Sequence, residues 1–293
     1  MNNLIKRTIS GIAFVAIMLA AFLSDIWIGD FWGSIVFGGV MLFCLVVMMK
    51  EFLKMTCGSN YRYSQLLSIL AGVTLFTLVF LFKGFGIPGR LVILAFVPVF
   101  ILMINSLYVK DKTRFDKFAN LYTAILYIAV PWSLLNFAVF DSCGNFNGRL
   151  ILCFFCIIWG SDSGAYLFGM SLGQRFGKKL FPSISPKKSW IGFWGGMFTA
   201  IGVSVALYYL GIFPIEVNNN LFNLVHCILI AVLIDIAGVY GDLIESQWKR
   251  HYEVKDSGNI IPGHGGLLDR FDSALIAIPI GIIYLVALDA LCL

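Results

Sequence analysis

Residues 221–293 read LFNLVHCILIAVLIDIAGVYGDLIESQWKRHYEVKDSGNIIPGHGGLLDRFDSALIAIPIGIIYLVALDALCL, an apolar run, a polar connection over 242–272 and a second apolar run. Each flank is about 20 residues long, the length that carries an α-helix across the hydrocarbon of a bilayer. The pattern therefore predicts a helical membrane protein whose spans hold the polar connection at a membrane face. Asp242, Ser246 and Lys249 recur at i, i+4 and i+7. If the preceding helix continues through them they share one face, with Glu245 and Arg250 alongside. Asp269 and Asp272 open the last apolar run at i and i+3, and Pro262-Gly263-His264-Gly265-Gly266 lies between the two groups. Such small residues let backbone N–H groups approach a phosphate closely. Carboxylates for a metal, cations for phosphates and a glycine-rich loop together form a candidate nucleotide site.

The rest of the chain agrees with that reading. Of 293 residues 59% are hydrophobic and only 13% charged, and the mean hydropathy is +0.89, which excludes an ordinary soluble domain. Nine windows of spanning length can be drawn, near 8–24, 31–49, 64–82, 91–108, 119–140, 150–171, 190–210, 221–241 and 273–291. The expected fold is an all-α polytopic integral membrane protein of about nine transmembrane helices, N-terminus in and C-terminus out. That orientation puts 18 of the 21 Lys and Arg residues in the cytoplasm and leaves Lys83, Arg90 and Arg149 outside. It also places the polar loops 172–189 and 242–272 on the cytoplasmic face, within reach of a soluble nucleotide. We expect an N-terminal transmembrane region over 1–149, about five spans with few polar groups, and a catalytic transmembrane region over 150–293. The net charge of +5 is sorted by side of the bilayer, so it calls for no nucleic-acid partner. Lys6-Arg7 and the run after it read as an uncleaved first span. The seven cysteines are scattered through mostly apolar runs, and Cys153-x-x-Cys156 has no second ligand pair, so packing is expected rather than zinc or a disulfide framework.

A second polar cluster follows the sixth span. Asp162 falls within or near the hydrocarbon, where an ionised carboxylate is costly and marks function. Tyr166, Gly169 and Gly173 follow it at i+4, i+7 and i+11; the glycines suit either a close helix neighbour or the site itself. Ser185-Pro186-Lys187-Lys188-Ser189 sets hydroxyls and ammonium groups around a proline-fixed turn, an arrangement for an anion. The run Gly173 to Lys178 is one residue short of a Walker A loop and is rejected as one. Asp235 precedes Asp242 by two turns and either tunes the site or satisfies a helix interface. His226 lies in the eighth span and His251 reads as an interfacial residue, whereas His264 serves as a phosphate ligand or as a loop residue.

At these residues the chain resembles the phosphatidate cytidylyltransferase, or CDP-diacylglycerol synthase, family. The family pattern S-x-x-K-R-x4-K-D-x-[GSA]-x2-[LIF]-[PG]-x-H-G-G-x-x-D-R-x-D is filled by Ser246, Lys249-Arg250, Lys255-Asp256, Gly258, Ile261-Pro262, His264-Gly265-Gly266, Asp269-Arg270 and Asp272. The upstream D-x-x-A-Y-x-x-G and S-P-K-K-[TS] elements are matched by Asp162, Ala165, Tyr166 and Gly169 and by Ser185 to Ser189. Trp248 stands where an aliphatic residue is usual, and Ile191 where many members carry Glu. The resemblance implies that CTP and phosphatidate react to give CDP-diacylglycerol and pyrophosphate at a bacterial inner membrane. It implies Asp242 and Asp269 as Mg2+ ligands, with room for a second cation. It implies Lys249, Arg250, Lys255 and Arg270 as phosphate ligands, Asp256 and Asp272 as residues that orient them or join the metal shell, and His264 beside them. Asp162, Tyr166, Ser185, Lys187, Lys188, Ser246, Gly265 and Gly266 are implied to bind substrate, with Ser185, Lys187 and Lys188 at the lipid headgroup. The expected partners are CTP, phosphatidate and the bilayer, with a homodimer as an open expectation. Rival readings are a CDP-archaeol synthase, a polyprenol kinase or, with Asp162 and Asp235 in an ion path, a transporter.

Overall fold

A computed structural model describes residues 3–109, 115–173, 177–214, 220–263 and 265–292, the side chains of 3–6, 116 and 289–292 excepted. The helical segments are α1 (Asn3–Phe22), α2 (Ser24–Cys57), α3 (Arg62–Phe85), α4 (Gly89–Leu107), α5 (Ala119–Val139), α6 (Arg149–Gly173), α7 (Trp190–Tyr209), α8 (Asn220–His251) and α9 (Leu268–Cys292). Segment α4 begins as a 3-10 turn, α5 contains a π-turn at Ile125–Ala129, and α6 ends in one at Gly169–Gly173. Among the described residues, eight of these are long and apolar enough to cross a membrane, and the apolar stretch Arg7–Phe22 is shorter. The protein is therefore an all-α polytopic membrane protein, relieved among the described residues by one β-hairpin.

Contacts divide the chain into two compact units, Met1–Gly148 with His251–Phe271, and Arg149–Arg250 with Asp272–Leu293. The expected split at 149/150 gave the whole connection 242–272 to the C-terminal half. Its central part, residues 251–271, instead folds with the N-terminal helices. The reason is local packing: Phe271 is fully buried, its ring 4.8 Å from that of Trp132, and Trp132 Nε1 donates a 2.8 Å hydrogen bond to the Met41 carbonyl. The stripe Phe37, Met41, Leu45, Met48 and Phe52 on α2, at helical spacing, is fully buried in the same unit.

Helix lengths carry polar residues to the surface. Helix α2 has 34 residues, more than the roughly 20 that cross a hydrocarbon layer of about 30 Å, and Lys50, Glu51 and Lys54 lie in its C-terminal turns. It is bent near its start, where Gly29 adopts φ 78° and ψ 165°, a backbone open to glycine and strained for other residues. For the same reason the 32-residue α8 continues beyond its apolar part and presents Asp242 to His251 as further helical turns.

In the second unit, α6 and α7 pack through small residues. A Cβ at Gly164 would meet Gly195 O at 2.8 Å, and one at Gly196 would meet Ser161 O at 3.0 Å. Strands β1 (Lys179–Phe181) and β2 (Ser185–Ser189) pair antiparallel, Lys179 opposite Ser189 and Phe181 opposite Ser185. Ser189 then caps α7, its Oγ accepting the Gly192 N–H at 3.1 Å.

Candidate active site

The second unit holds a cavity of about 470 Å³ lined by Asp162, Tyr166, Lys187, Lys188 and Asp242 among others. Both expected motifs, DxxAYxxG and SPKKS, thus meet the carboxylate of α8 in one place. Lys188 Nζ lies 2.6 Å from Asp242 Oδ2, and Asp242 Oδ1 accepts the Ser246 hydroxyl at 3.1 Å. The i, i+4, i+7 face is real, but its last member turns to a neighbour the sequence reading left without a role. Lys249 pairs with Glu245 at 2.5 Å, and the Glu245 side chain is completely buried. Arg250 is exposed and its Nε donates to Ile184 O in the hairpin turn at 3.4 Å.

Asp272 lies within electrostatic reach of Asp242, Lys249 and Asp162. Helix crossing brings this about. A Cβ at Gly241 would stand 2.5 Å from Asp272 O and 3.0 Å from Ser273 Cα, so only glycine lets α8 and α9 approach beside their two aspartates. Of the two glycines that follow Asp162 at i+7 and i+11, Gly173 is a packing residue, since a side chain there would collide with Ser189, whereas Gly169 lines the cavity. Ser185 sits in β2. Asp235 is buried beneath the cavity's Ser161, whose hydroxyl donates to Asp235 Oδ1.

The first unit holds the glycine-rich part of the pattern. Asp269 Oδ2 accepts the Gly266 N–H at 2.7 Å and the Ser257 N–H at 3.0 Å, so its carboxylate ties the loop to the first turn of α9. Gly265 has φ 93°, and a Cβ on it would come within 2.8 Å of Asp269 Oδ2 and 3.4 Å of the Asp256 Cβ. A bridge between Ile261 and Gly265 closes the turn. Lys255, Asp256 and Arg270 are exposed. His264 lies outside the described residues. The residue that sequence reasoning missed is Glu51 of α2, which is buried and accepts the Leu268 N–H at 2.9 Å. The available signal was that Glu51 is the sole carboxylate between Asp30 and Asp111.

For a metal, the donor set is one of hard carboxylate oxygens, Asp242 with Asp272 and Asp162 in the second unit and Asp269 in the first. Among the described residues no three His, Cys, Asp or Glu stand together as a complete metal-binding group. Hard carboxylate oxygens are the donor type that Mg2+ takes, one or two at a time, with water and substrate phosphates completing its shell.

A family model described as cytidylyltransferase family matches residues 5–288. A phosphatidate cytidylyltransferase of Bacillus subtilis (strain 168) is 39% identical over 189 residues, covering 64% of this chain and 65% of that protein. One of Staphylococcus aureus (strain COL) is 38% identical over 165 residues, 56% of this chain and 60% of the relative. One of Staphylococcus haemolyticus is 36% identical over 181 residues, 62% and 64% of the two chains. The aligned stretches thus span slightly less than two thirds of these relatives.

Proposed function

This chain belongs to the cytidylyltransferase family, and from that premise we propose that it transfers the cytidylyl group of CTP to phosphatidate, giving CDP-diacylglycerol and pyrophosphate. The observation that supports the reading best is the cavity of the second unit, in which an aspartate of α8 and the lysines of the hairpin converge. Its chemistry suits two phosphate-bearing substrates, and its helices lie in a membrane protein, where a two-tailed lipid is at hand.

In the proposed reaction a phosphatidate phosphate oxygen attacks the α-phosphorus of CTP. A new P–O bond forms, the bond between the α-phosphorus and the bridging oxygen breaks, and pyrophosphate leaves with that electron pair. The nucleophile is already anionic near neutral pH, so catalysis rests on position and charge neutralisation rather than on a strong general base. Lys187 and Lys188 bind the lipid headgroup, with Ser185 beside them on β2. Lys249, Arg250, Lys255 and Arg270 hold CTP phosphates or the departing pyrophosphate. The proposed Mg2+ ligands are, unit by unit, Asp242, supported by Asp272, in the second, and Asp269, supported by Asp256, in the first. When bound, Mg2+ neutralises charge that develops on the phosphates. The site is proposed to face the cytoplasm of a bacterial inner membrane.

The test is direct. Full-length protein in mixed micelles with phosphatidate, labelled CTP and Mg2+ should yield labelled CDP-diacylglycerol and pyrophosphate in equal amounts. Absence of transfer with folded protein, lipid and metal present would overturn the reading.

A further inference from the structure

In the first unit, helix α9 begins without a capping side chain of its own. Asp269, in the first turn, reaches back three residues to the Gly266 N–H at 2.7 Å. The residue that precedes the helix, Leu267, carries no side-chain oxygen to cap it, and neither does Gly266 before it. A side chain there has no room: a Cβ would meet Glu51 Oε2 and the Gly258 N, each at 2.7 Å, and would also collide with Ser257 Oγ. The missing acceptor comes from 217 residues away. Glu51 Oε2 takes the Leu268 N–H at 2.9 Å, and the Leu267 N–H also faces the Glu51 carboxylate.

We propose that Glu51 is a positioning residue for the proposed transfer reaction, capping α9 in trans and thereby fixing Asp269 and the Gly265-Gly266 loop in the orientation the reaction needs. Several observations converge on this role. Glu51 is buried at 8% exposure, yet it is the only carboxylate in a long apolar region, a placement that is costly without partners. A negative charge at a helix N-terminus is favoured by the aligned peptide dipoles. The loop carries glycine at both 258 and 266, where any side chain would strike the Glu51 carboxylate. Two backbone donors at the start of α9 and two glycines of the loop are therefore arranged around one side chain, and Asp269 is held from the other side by Ser257 and Gly266.

The proposal rests on the transfer reading for its activity arm alone, so two readouts are taken on full-length protein. The first is amide hydrogen exchange. Glu51→Ala should raise exchange at Gly266 to Asp269 by about tenfold, as expected for loss of a cap, while the apolar helices keep their protection. Glu51→Gln, which keeps a carbonyl acceptor in the same place, should restore most of it. The second readout is kinetic. Glu51→Ala should lower kcat by about tenfold or more with the KM for CTP and phosphatidate changed less, and Glu51→Gln should recover kcat. Unchanged local exchange in Glu51→Ala, or exchange raised uniformly along the chain, overturns the proposal. Wild-type kcat in a Glu51→Ala protein with a loosened loop overturns it too. Should the wild type transfer nothing, the exchange arm still decides the capping role while the functional reading falls alone.

Discussion

Lys188 and Asp242 face each other at 2.6 Å in a cavity proposed to receive two anionic substrates and a divalent cation. A lysine that neutralises a carboxylate in the substrate-free protein is available to a phosphate only when that carboxylate has found another cation. Replacing Lys188 by Ala should therefore raise the apparent KM for phosphatidate about tenfold, the worth of one charge-assisted contact, with a smaller change in kcat. A collapse of kcat at unchanged KM would move Lys188 into the catalytic group. Asp242→Asn should remove most activity and displace the Mg2+ activation curve. The two changes combined should cost less than the product of the single losses, because each residue is the other's partner; multiplying losses would separate their roles. These residues were legible from spacing and charge, and so was the face of α8 that carries Asp242, Ser246 and Lys249. The partners were not. Glu245 beside Lys249, Ser161 beneath Asp235 and Glu51 under the glycine loop are settled by packing between segments far apart in sequence, and a single chain reveals only that such lone polar groups must have partners.

Among elements, the approach of α8 to α9 is set by one missing side chain. Gly241→Val would drive a branched group into Asp272 O and the Ser273 backbone, which cannot move aside as a flexible side chain could. We expect a stability loss of about 1–3 kcal/mol, seen as a lower Tm in detergent, together with loss of activity. Gly202→Ala, which meets nothing within 4 Å, is the matched control and should change stability by less than about 1 kcal/mol. Ser189→Ala tests the other junction: loss of the α7 cap should cost about 1 kcal/mol, and wild-type Tm would refute the capping role. The helices themselves were readable because their apolar length is dictated by the bilayer. The SPKKS segment was expected as a loop around a proline-fixed turn, yet it forms β2 and an N-cap. Its partner strand β1 lies just upstream across the turn at 182–184, and strand pairing leaves little trace in a five-residue polar string.

For the molecule as a whole, the sequence announced a polytopic helical protein, and eight long apolar helices together with the shorter α1 realise it. Orientation is the remaining expectation, and it has a direct measurement. Asn259 is exposed in the connection after α8, whereas its neighbour Ser257 is buried, so Asn259 is the better site for an introduced cysteine. Asn259→Cys in a Cys143→Ser background should react with an impermeant thiol reagent only in inverted or permeabilised membranes. The native exposed Cys143, in the connection after α5, should react from outside in intact cells. The opposite pattern would reverse the proposed topology. What the sequence could not announce is that residues 251–271 return to the N-terminal helices. Hydropathy sorts segments by solvent but carries no information on which distant segment a polar loop will choose.

That return has a consequence in time. Leu268 is the residue whose amide meets Glu51, and 217 positions separate them along the chain. A ribosome adding 5–20 residues per second needs roughly 10–40 s to travel between the two. Throughout that interval the first unit is inserted but incomplete, and the Glu51 carboxylate waits for a partner that has not yet been synthesised. Helix α9 thus closes the first part of the protein long after Glu51 has been made.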